Sequence, residues 1–173
     1  HIDQRYVRFF NKILTVSKVT QKRFQKYYGV SPEILPLPVE TDRFYCKSYE
    51  DFFLAPGRLM KEKRFDLIIR AFKKLPSKKL LIVGDGPERE YLMQLAQNCK
   101  NIKFLGVVRG QKLLDLYATC TATIYMPYKE DFGLVPLESM AAGKPCIAVN
   151  EGGCKETVVH GKTGFLIKPS TKE

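Results

Sequence analysis

Short apolar segments alternate with amphipathic segments along most of this chain, and that alternation limits the folds it can adopt. The apolar segments are four to six residues long, which suits strands of a sheet whose two faces are both covered. They are residues 52–55, 80–83, 102–105, 121–126 and 146–149. Helical patterns fill the intervals, at residues 65–75, 88–97, 111–118 and 136–142. We therefore predict an α/β domain with a doubly wound, mainly parallel sheet.

The loops that follow the predicted strands are where we expect a ligand. In an open parallel sheet, ligands bind outside the carboxyl ends of the strands. Every unusual loop of the chain lies at such an end, after residues 55, 83, 105, 126 and 149.

The first part of the chain has a different pattern. Residues 13–16 form a candidate strand, Ser17 a candidate N-cap and residues 18–28 a candidate helix, and three prolines follow within residues 31–39. We interpret the proline-rich part as a linker or crossover. Residues 1–45 are then separate from a sheet domain at 46–173. Because no closing helix covers the last strand and the chain opens on His1, we expect it to be a fragment.

A net charge of +11, from 29 basic and 18 acidic side chains, favours anionic partners. Those include nucleic acid, acidic lipid surfaces and phosphorylated small molecules. The basic residues are dispersed, and no RNA-binding aromatic signature or zinc-finger spacing accompanies them, so we expect no nucleic-acid partner. Most of these charges are interpreted as solvated helix faces.

The five cysteines argue against a metal site and against a disulfide framework. Their number is odd, no two lie closer than eight positions, and several fall in apolar segments, as buried inert thiols do. They favour a reducing compartment. No apolar run is long enough for a transmembrane helix.

Two glycine loops carry competing interpretations. In the loop 57–63, Arg58 and Lys63 can clamp a diphosphate, or they can be two solvated charges of a basic protein. In the loop 84–87 the spacing G-x-G suggests a dinucleotide fingerprint. However, Glu88 and Arg89 stand where the third glycine belongs, and the loop follows the second strand of the domain. We interpret Pro87 instead as the first residue of a helix.

The stretch 130–145 (EDFGLVPLESMAAGKP) contains two glutamates that need separate explanations. If Pro136 occupies the first helical position, Glu138 occupies the third, where a carboxylate closes a capping box. This structural explanation does not extend to Glu130 or to the free amides of residues 132–134. Carboxylates accept hydrogen bonds from sugar hydroxyls, and amides at a helix N-terminus bind phosphate. A nucleotide sugar combines both groups.

The spacing of these glutamates, E-x7-E, is similar to the signature of retaining glycosyltransferases of family 4, whose GT-B architecture has two facing Rossmann-like domains. Further segments resemble the same family: Gly57-Arg58 with Lys63, residues 81–87 (LIVGDGP), Gly143-Lys144-Pro145, residues 150–153 (NEGG) and residues 11–44. The resemblance implies that residues 1–45 end an acceptor domain and cross over. Residues 46–173 would then be a Rossmann-like nucleotide-sugar-binding domain, truncated at its C-terminus.

The resemblance also implies a role for each residue of the site. As catalytic residues, Arg58 and Lys63 would hold the diphosphate and neutralise the leaving nucleotide, and Glu130 would hold hydroxyls of the transferred sugar. The other implied donor contacts are Gly84 in the turn after the second strand, Val107 and Val108 near the base, the amides of Phe132, Gly133 and Leu134, and Glu138 on the ribose. Arg64 departs from the family, which often has glycine after the lysine, so the local loop shape stays open.

The closest likeness is to mannosyltransferases that build surface polysaccharides and lipid-linked glycans. It implies transfer of a hexose, with mannose favoured, from a nucleotide sugar to a glycan or lipid-linked acceptor. GDP-mannose is favoured over UDP-sugars as donor, and neither a cofactor nor a metal is implied. We expect a cytoplasmic location, with peripheral contact at the inner face of an anionic membrane.

Two other functions stay open from the sequence. One is a sugar-nucleotide-binding module without catalysis. The other is a dinucleotide-dependent oxidoreductase, which the broken glycine fingerprint disfavours. Because the acceptor half appears incomplete, this chain by itself is expected to bind a donor but not to transfer its sugar.

Overall fold

A six-stranded parallel sheet forms the centre of the molecule, seen in a computed structural model that describes residues 4–168. The strands in chain order are β1 (Leu14–Thr15), β2 (Glu33–Ile34), β3 (Phe53–Pro56), β4 (Leu80–Val83), β5 (Ile102–Gly106), β6 (Ala122–Tyr125), β7 (Cys146–Val149) and β8 (Gly164–Ile167). The helices are α1 (Gln4–Val7), α2 (Lys18–Tyr28), α3 (Phe65–Lys73), α4 (Arg89–Leu95), α5 (Gln111–Thr119), α6 (Leu134–Ala141) and α7 (Cys154–Thr157). Two 3₁₀ turns lie at Thr41–Arg43 and Lys61–Lys63.

The order of the strands confirms the predicted doubly wound sheet. The order is β5-β4-β3-β6-β7-β8, and every neighbouring pair is parallel. The chain therefore builds outward from β3 to β5 and then returns to build outward from β6 to β8. The direction of winding reverses between β3 and β6, and the carboxyl ends of strands at such a reversal flank a crevice.

Burial explains why the central strands are apolar throughout. All four residues of β6 are buried, as are Leu54 and Ala55 of β3, because helices cover both faces of the sheet. On α3 the buried residues Phe65, Ile68, Ile69 and Phe72 form one face that packs into the core. Among residues 4–168, no helix is long and apolar enough to cross a membrane.

The segment before the prolines contacts the loop at Asp131 and helix α7. Ser17 is the N-cap of α2, as the sequence predicts, and it forms a capping box with Thr20. The Ser17 hydroxyl also donates to the backbone oxygen of Asp131 at 2.5 Å. The amides of Lys18 and Val19 donate to the Glu156 carboxylate at 2.9 and 3.0 Å. The division at residues 45 and 46 stays a prediction, and its outer ends, residues 1–3 and 169–173, lie outside the described residues.

Two predicted helix starts are wrong. Helix α6 begins at Leu134, because Gly133 turns the chain with φ 90°, so Pro136 is its third residue. A proline is tolerated there since the first four amides of a helix have no intrahelical acceptor. Pro87 is not a first helical residue either: α4 begins at Arg89, after a turn.

Two short elements near the C-terminus do not appear in the predicted pattern. They are α7, with four residues, and β8, which follows an exposed turn at His160. Strand β8 packs closely on β7, because a Cβ on Gly164 would lie 2.0 Å from the Cys146 oxygen. Helix α7 is a single turn, and β8 is an edge strand with Phe165 and Ile167 exposed, so neither has the pattern of a buried strand or a full helix.

Candidate functional site

A cleft of about 260 Å³ opens at the carboxyl ends of β3, β4 and β5. Five of the predicted site residues line it: Arg58, Gly84, Val107, Val108 and Glu138. The remaining lining residues are Pro56, Gly57, Val83, Asp85, Leu113, Tyr117 and Val135. The lining is mostly apolar and includes the exposed cation of Arg58 and two carboxylates, Asp85 and Glu138.

The floor of the cleft depends on close approach of two backbones. Gly84 has φ 133°, and a Cβ on it would lie 1.9 Å from the Gly57 oxygen. The Gly57 amide donates to the Val83 oxygen at 2.9 Å, and the Gly84 amide donates to the Gly106 oxygen at 2.8 Å. Packing alone therefore requires glycine at position 84.

Glu138 is held by a buried phenol. The Tyr117 hydroxyl donates to Glu138 Oε2 at 2.5 Å, and only 1% of Tyr117 is exposed. Burial, followed by the charge of Glu138, raises the pKa of Tyr117 well above its ordinary value, so the phenol stays protonated as a donor. Because α6 begins at Leu134, Glu138 lies in the second turn, and the predicted capping box is wrong.

A second group of polar side chains lies beside the cleft, around Glu130. Lys63 Nζ lies 2.7 Å from Glu130 Oε2, with 26% and 17% of the two side chains exposed. The Tyr125 hydroxyl donates to the same oxygen at 2.8 Å and lies 3.3 Å from Lys63 Nζ. Burial and the neighbouring Glu130 raise the pKa of Tyr125, which keeps this phenol protonated as well.

The start of α6 connects the two groups. A Cβ on Gly133 would lie 3.4 Å from the Tyr125 ring and 3.7 Å from Glu130 Cγ. Phe132 is buried before the turn, and Leu134 is exposed after it. Amides at a helix start lack intrahelical acceptors, so this end of α6 can receive an anion next to Glu130.

The loop after β7 packs against the backbone of Glu130. The Gly153 amide donates to the backbone oxygen of Glu130 at 2.8 Å. A Cβ on Gly152 would lie 2.5 Å from that backbone oxygen, and a Cβ on Gly153 would lie 2.4 Å from Phe132 Cα. Both glycines are therefore required for this contact. The segment 150–153 thus packs directly on the backbone of the loop that carries Glu130.

Tyr117 and Tyr125 are site residues that the sequence analysis missed. Each holds one of the two glutamates through its hydroxyl. Tyr125 ends a buried strand and Tyr117 lies in the last turn of α5, so both pass for ordinary core aromatics. The one signal that could have identified Tyr125 is its phenol hydroxyl at the carboxyl end of a predicted strand.

The cysteines have the character that the sequence predicts. All five are free thiols, and Cys120, Cys146 and Cys154 are buried. Burial raises the pKa of each of these three to about 12, which makes them inert at neutral pH. Within residues 4–168, no three His, Cys, Asp or Glu side chains are grouped so that they could hold a metal ion.

Comparison with known families gives the chain an assignment. The family model described as "Glycosyl transferases group 1" matches residues 43–173. The chain belongs to this family.

Relatives of known activity carry different donors and acceptors in their names. The chain is 40% identical over 123 residues to N-acetyl-alpha-D-glucosaminyl L-malate synthase of Bacillus anthracis, covering 68% of this chain and 32% of the relative. It is 33% identical over 182 residues to a GDP-mannose-dependent alpha-(1-6)-phosphatidylinositol monomannoside mannosyltransferase of Mycobacterium tuberculosis, covering 88% and 47%. The chain thus spans about a third to a half of these relatives.

A solved structure shares the fold of this glycosyl transferase chain. Anabaena HepE in complex with UDP superposes with a TM-score of 0.81 at 23% identity, covering 98% of this chain and 55% of that one. At this identity the likeness shows the fold alone. The predicted Rossmann-like domain of a GT-B glycosyltransferase is confirmed.

Proposed function

We propose that this chain is the donor-binding part of a retaining glycosyltransferase that transfers a hexose from a nucleotide sugar to a glycan or lipid-linked acceptor. One observation carries the proposal. Lys63 and Glu130 form a partly buried pair at the helix start beside a cleft that holds Arg58 and Glu138. Cations for a diphosphate and carboxylates for hydroxyls thus meet at one edge of the sheet.

The shape of the cleft suits the nucleoside half of such a donor. Glu138, fixed by Tyr117, accepts hydrogen bonds from the ribose hydroxyls. The base lies against Val107 and Val108, and Val107 offers an apolar side chain that is 57% exposed. Arg58, which is exposed at the rim, provides a planar fork of donors for the diphosphate.

The pair formed by Lys63 and Glu130 suits the reacting half. On binding, the diphosphate replaces Glu130 as the partner of Lys63, and the sugar hydroxyls replace Lys63 as the partners of Glu130. Fixed positive charge from Arg58 and Lys63, with the amides of residues 132–134, then stabilises the negative charge that develops on the leaving nucleotide. We assign no cofactor to this chemistry. Transfer proceeds with retention of configuration.

The favoured donor is GDP-mannose, which the name of the mycobacterial relative supports. Neither Val107 nor Val108 offers a side-chain hydrogen bond that would distinguish guanine from uracil. A screen of GDP-mannose, UDP-glucose and their plain diphosphates is therefore the direct measurement of donor choice. Preferential binding of a UDP-sugar would overturn the assignment of mannose without overturning the site.

Calorimetry on the purified chain tests the function itself. We expect a nucleoside diphosphate and one nucleotide sugar to bind, while NAD and a DNA duplex do not. We also expect no sugar transfer by this chain alone, since it spans at most about half of the relatives that we compare. Tighter binding of NAD than of any nucleotide sugar would favour an oxidoreductase, and binding to no nucleotide sugar would refute the proposal.

The basic charge supports a place for the enzyme at the inner face of an anionic membrane. Each Lys or Arg near such a surface contributes about 1 kcal/mol, which salt screens. With a net charge of +11, the chain should partition more strongly onto anionic than onto neutral vesicles at low salt. Equal partition onto both would exclude this role.

A further inference from the structure

Arg64 has a backbone conformation that arginine rarely adopts. It lies between the 3₁₀ turn Lys61–Lys63 and α3, with φ 51° and ψ 42°. Glycine reaches this left-handed region without the steric conflict that a Cβ creates. Such a residue persists only where its surroundings over-determine it, so the contacts of the Arg64 side chain matter.

The guanidinium of Arg64 bonds to three acceptors on two other loops. Its Nε donates to the Met126 oxygen at 2.7 Å, and its Nη2 donates to the Pro127 oxygen at 2.8 Å. The same Nη2 donates to Glu151 Oε2 at 2.9 Å, and only 17% of the Arg64 side chain is exposed. A guanidinium holds its donors on several nitrogens in one fixed plane, an arrangement that the single nitrogen of a lysine does not reproduce.

One of these loops carries Glu130, and the other packs on the Glu130 backbone. Met126 and Pro127 follow β6 on the path to Glu130, and Glu151 precedes the glycines that pack on its backbone. The Gly153 amide donates to the backbone oxygen of Glu130 at 2.8 Å. Arg64, which follows Lys63 directly, therefore connects Lys63 to both of the loops that hold Glu130.

We propose that Arg64 is a positioning residue that fixes the Glu130 loop relative to Lys63, and that donor binding depends on the spacing so fixed. The guanidinium bonds to loop carbonyls and Glu151, so it acts through Glu130 and not on the donor. This inference rests on the proposed function of Glu130 as the residue that holds the transferred sugar.

Crystal structures of the wild-type chain and of Arg64→Gly, both without ligand, test the positioning directly. Glycine accepts the left-handed backbone, so the variant loses the guanidinium without added strain. We expect the Glu130 loop to shift and the contact of 2.7 Å between Lys63 and Glu130 to be lost. An unchanged contact would overturn the proposal whether or not any donor binds.

Binding to the nucleotide sugar that the wild-type chain prefers gives a second test. Arg64→Gly should weaken that sugar donor about tenfold, with Arg64→Lys in between, and it should not weaken the plain diphosphate, because the Lys63 cation stays available to it. In a Glu130→Ala background, Arg64→Gly should have no further effect on the donor. An equal loss in both backgrounds would show that Arg64 does not act through Glu130.

Asn98 offers a matched control. It is a second non-glycine residue with positive φ, 67°, and it lies after α4 and away from the lining of the cleft. Asn98→Gly relieves the same kind of backbone conflict, and it should leave donor affinity unchanged. If the wild-type chain binds no nucleotide sugar, the proposed function fails, while the crystal structures still decide whether Arg64 positions Glu130.

Discussion

The hydroxyl of Tyr117 donates a hydrogen bond of 2.5 Å to the carboxylate of Glu138, at the wall of the cleft. Tyr117 comes from α5 and Glu138 from α6, so this bond joins the two helices across the site. The Phe44 ring packs edge-on against Tyr117 at 5.7 Å between centroids. The crossover from the first part of the chain is thereby in contact with the residue that orients Glu138.

Tyr117→Phe should weaken a nucleoside diphosphate and its sugar donor equally, by about threefold to tenfold, because the Glu138 carboxylate loses its orienting bond. Phenylalanine keeps the packing, so the fold should persist. Calorimetry with both ligands measures the effect. Unchanged affinity for both would show that Tyr117 matters to the core and not to the site.

Tyr125→Phe should give a different profile. This hydroxyl bonds to Glu130, so its loss should weaken the sugar donor about threefold to tenfold and leave the plain diphosphate nearly unaffected. The two tyrosine variants are controls for each other, since both remove one buried hydroxyl. Identical profiles from the two would contradict the separate assignments of Glu130 and Glu138.

Lys144 is a buried cation that stabilises the segment before β3. Only 2% of it is exposed, its Nζ donates to the Lys47 oxygen at 3.0 Å, and it lies 3.5 Å from the centroid of the Tyr49 ring. Lys144→Met should lower the free energy of unfolding by about 1–3 kcal/mol through loss of the bond and the cation–π contact. Urea unfolding checks this. The exposed Lys155→Met is the control, expected within about 0.5 kcal/mol of wild type.

Periodicity predicted the sheet because the central strands β4, β3, β6 and β7 are apolar for a single reason, burial on both faces. It placed β4 and β7 at their observed bounds. It did not locate the start of α6, because the preference of Pro136 for a first helical position competes with the turn that Gly133 makes. Glycine enables that turn through a left-handed backbone, and a sequence does not show which glycines use one.

The contacts that order the site could not be predicted from the sequence, for another reason. The predictions for Arg58, Lys63, Glu130 and Glu138 came from residue chemistry at the ends of strands and from a family resemblance. Tyr117 and Arg64 act through partners distant in sequence, at separations of 21 residues for the bond to Glu138 and 62 for the bond to Met126. Such pairs depend on the topology of the sheet, which brings the loops together.

Alkaline pH should destabilise the chain from about pH 9 upward. Burial raises the pKa of Cys120, Cys146 and Cys154 from 9.0 to about 12. Between those values the unfolded thiols lose protons that the folded thiols retain, so the unfolded state binds fewer protons and stability falls as pH rises. Each group contributes a slope of up to about 1.4 kcal/mol per pH unit.

Urea unfolding between pH 8 and 10.5 measures that slope. Cys146→Ala should make it shallower, and Cys46→Ala, which removes an exposed thiol, should leave it unchanged. A stability that stays constant over this range would contradict the protonation of the buried thiols. Equal slopes for wild type and Cys146→Ala would contradict the contribution of that residue.

Glu130→Ala should separate the two halves of the donor. Glu130 Oε2 pairs with Lys63 Nζ at 2.7 Å, so removal of the carboxylate frees the Lys63 cation for the diphosphate. Plain diphosphate affinity should therefore stay the same or rise, while the sugar donor, which loses a charge-assisted bond of about 1.5–3 kcal/mol, should bind roughly tenfold to a hundredfold more weakly. Glu138→Ala should weaken both ligands alike. Calorimetry on variants with wild-type melting temperatures decides, and equal weakening of both ligands by Glu130→Ala would contradict its assignment to the sugar.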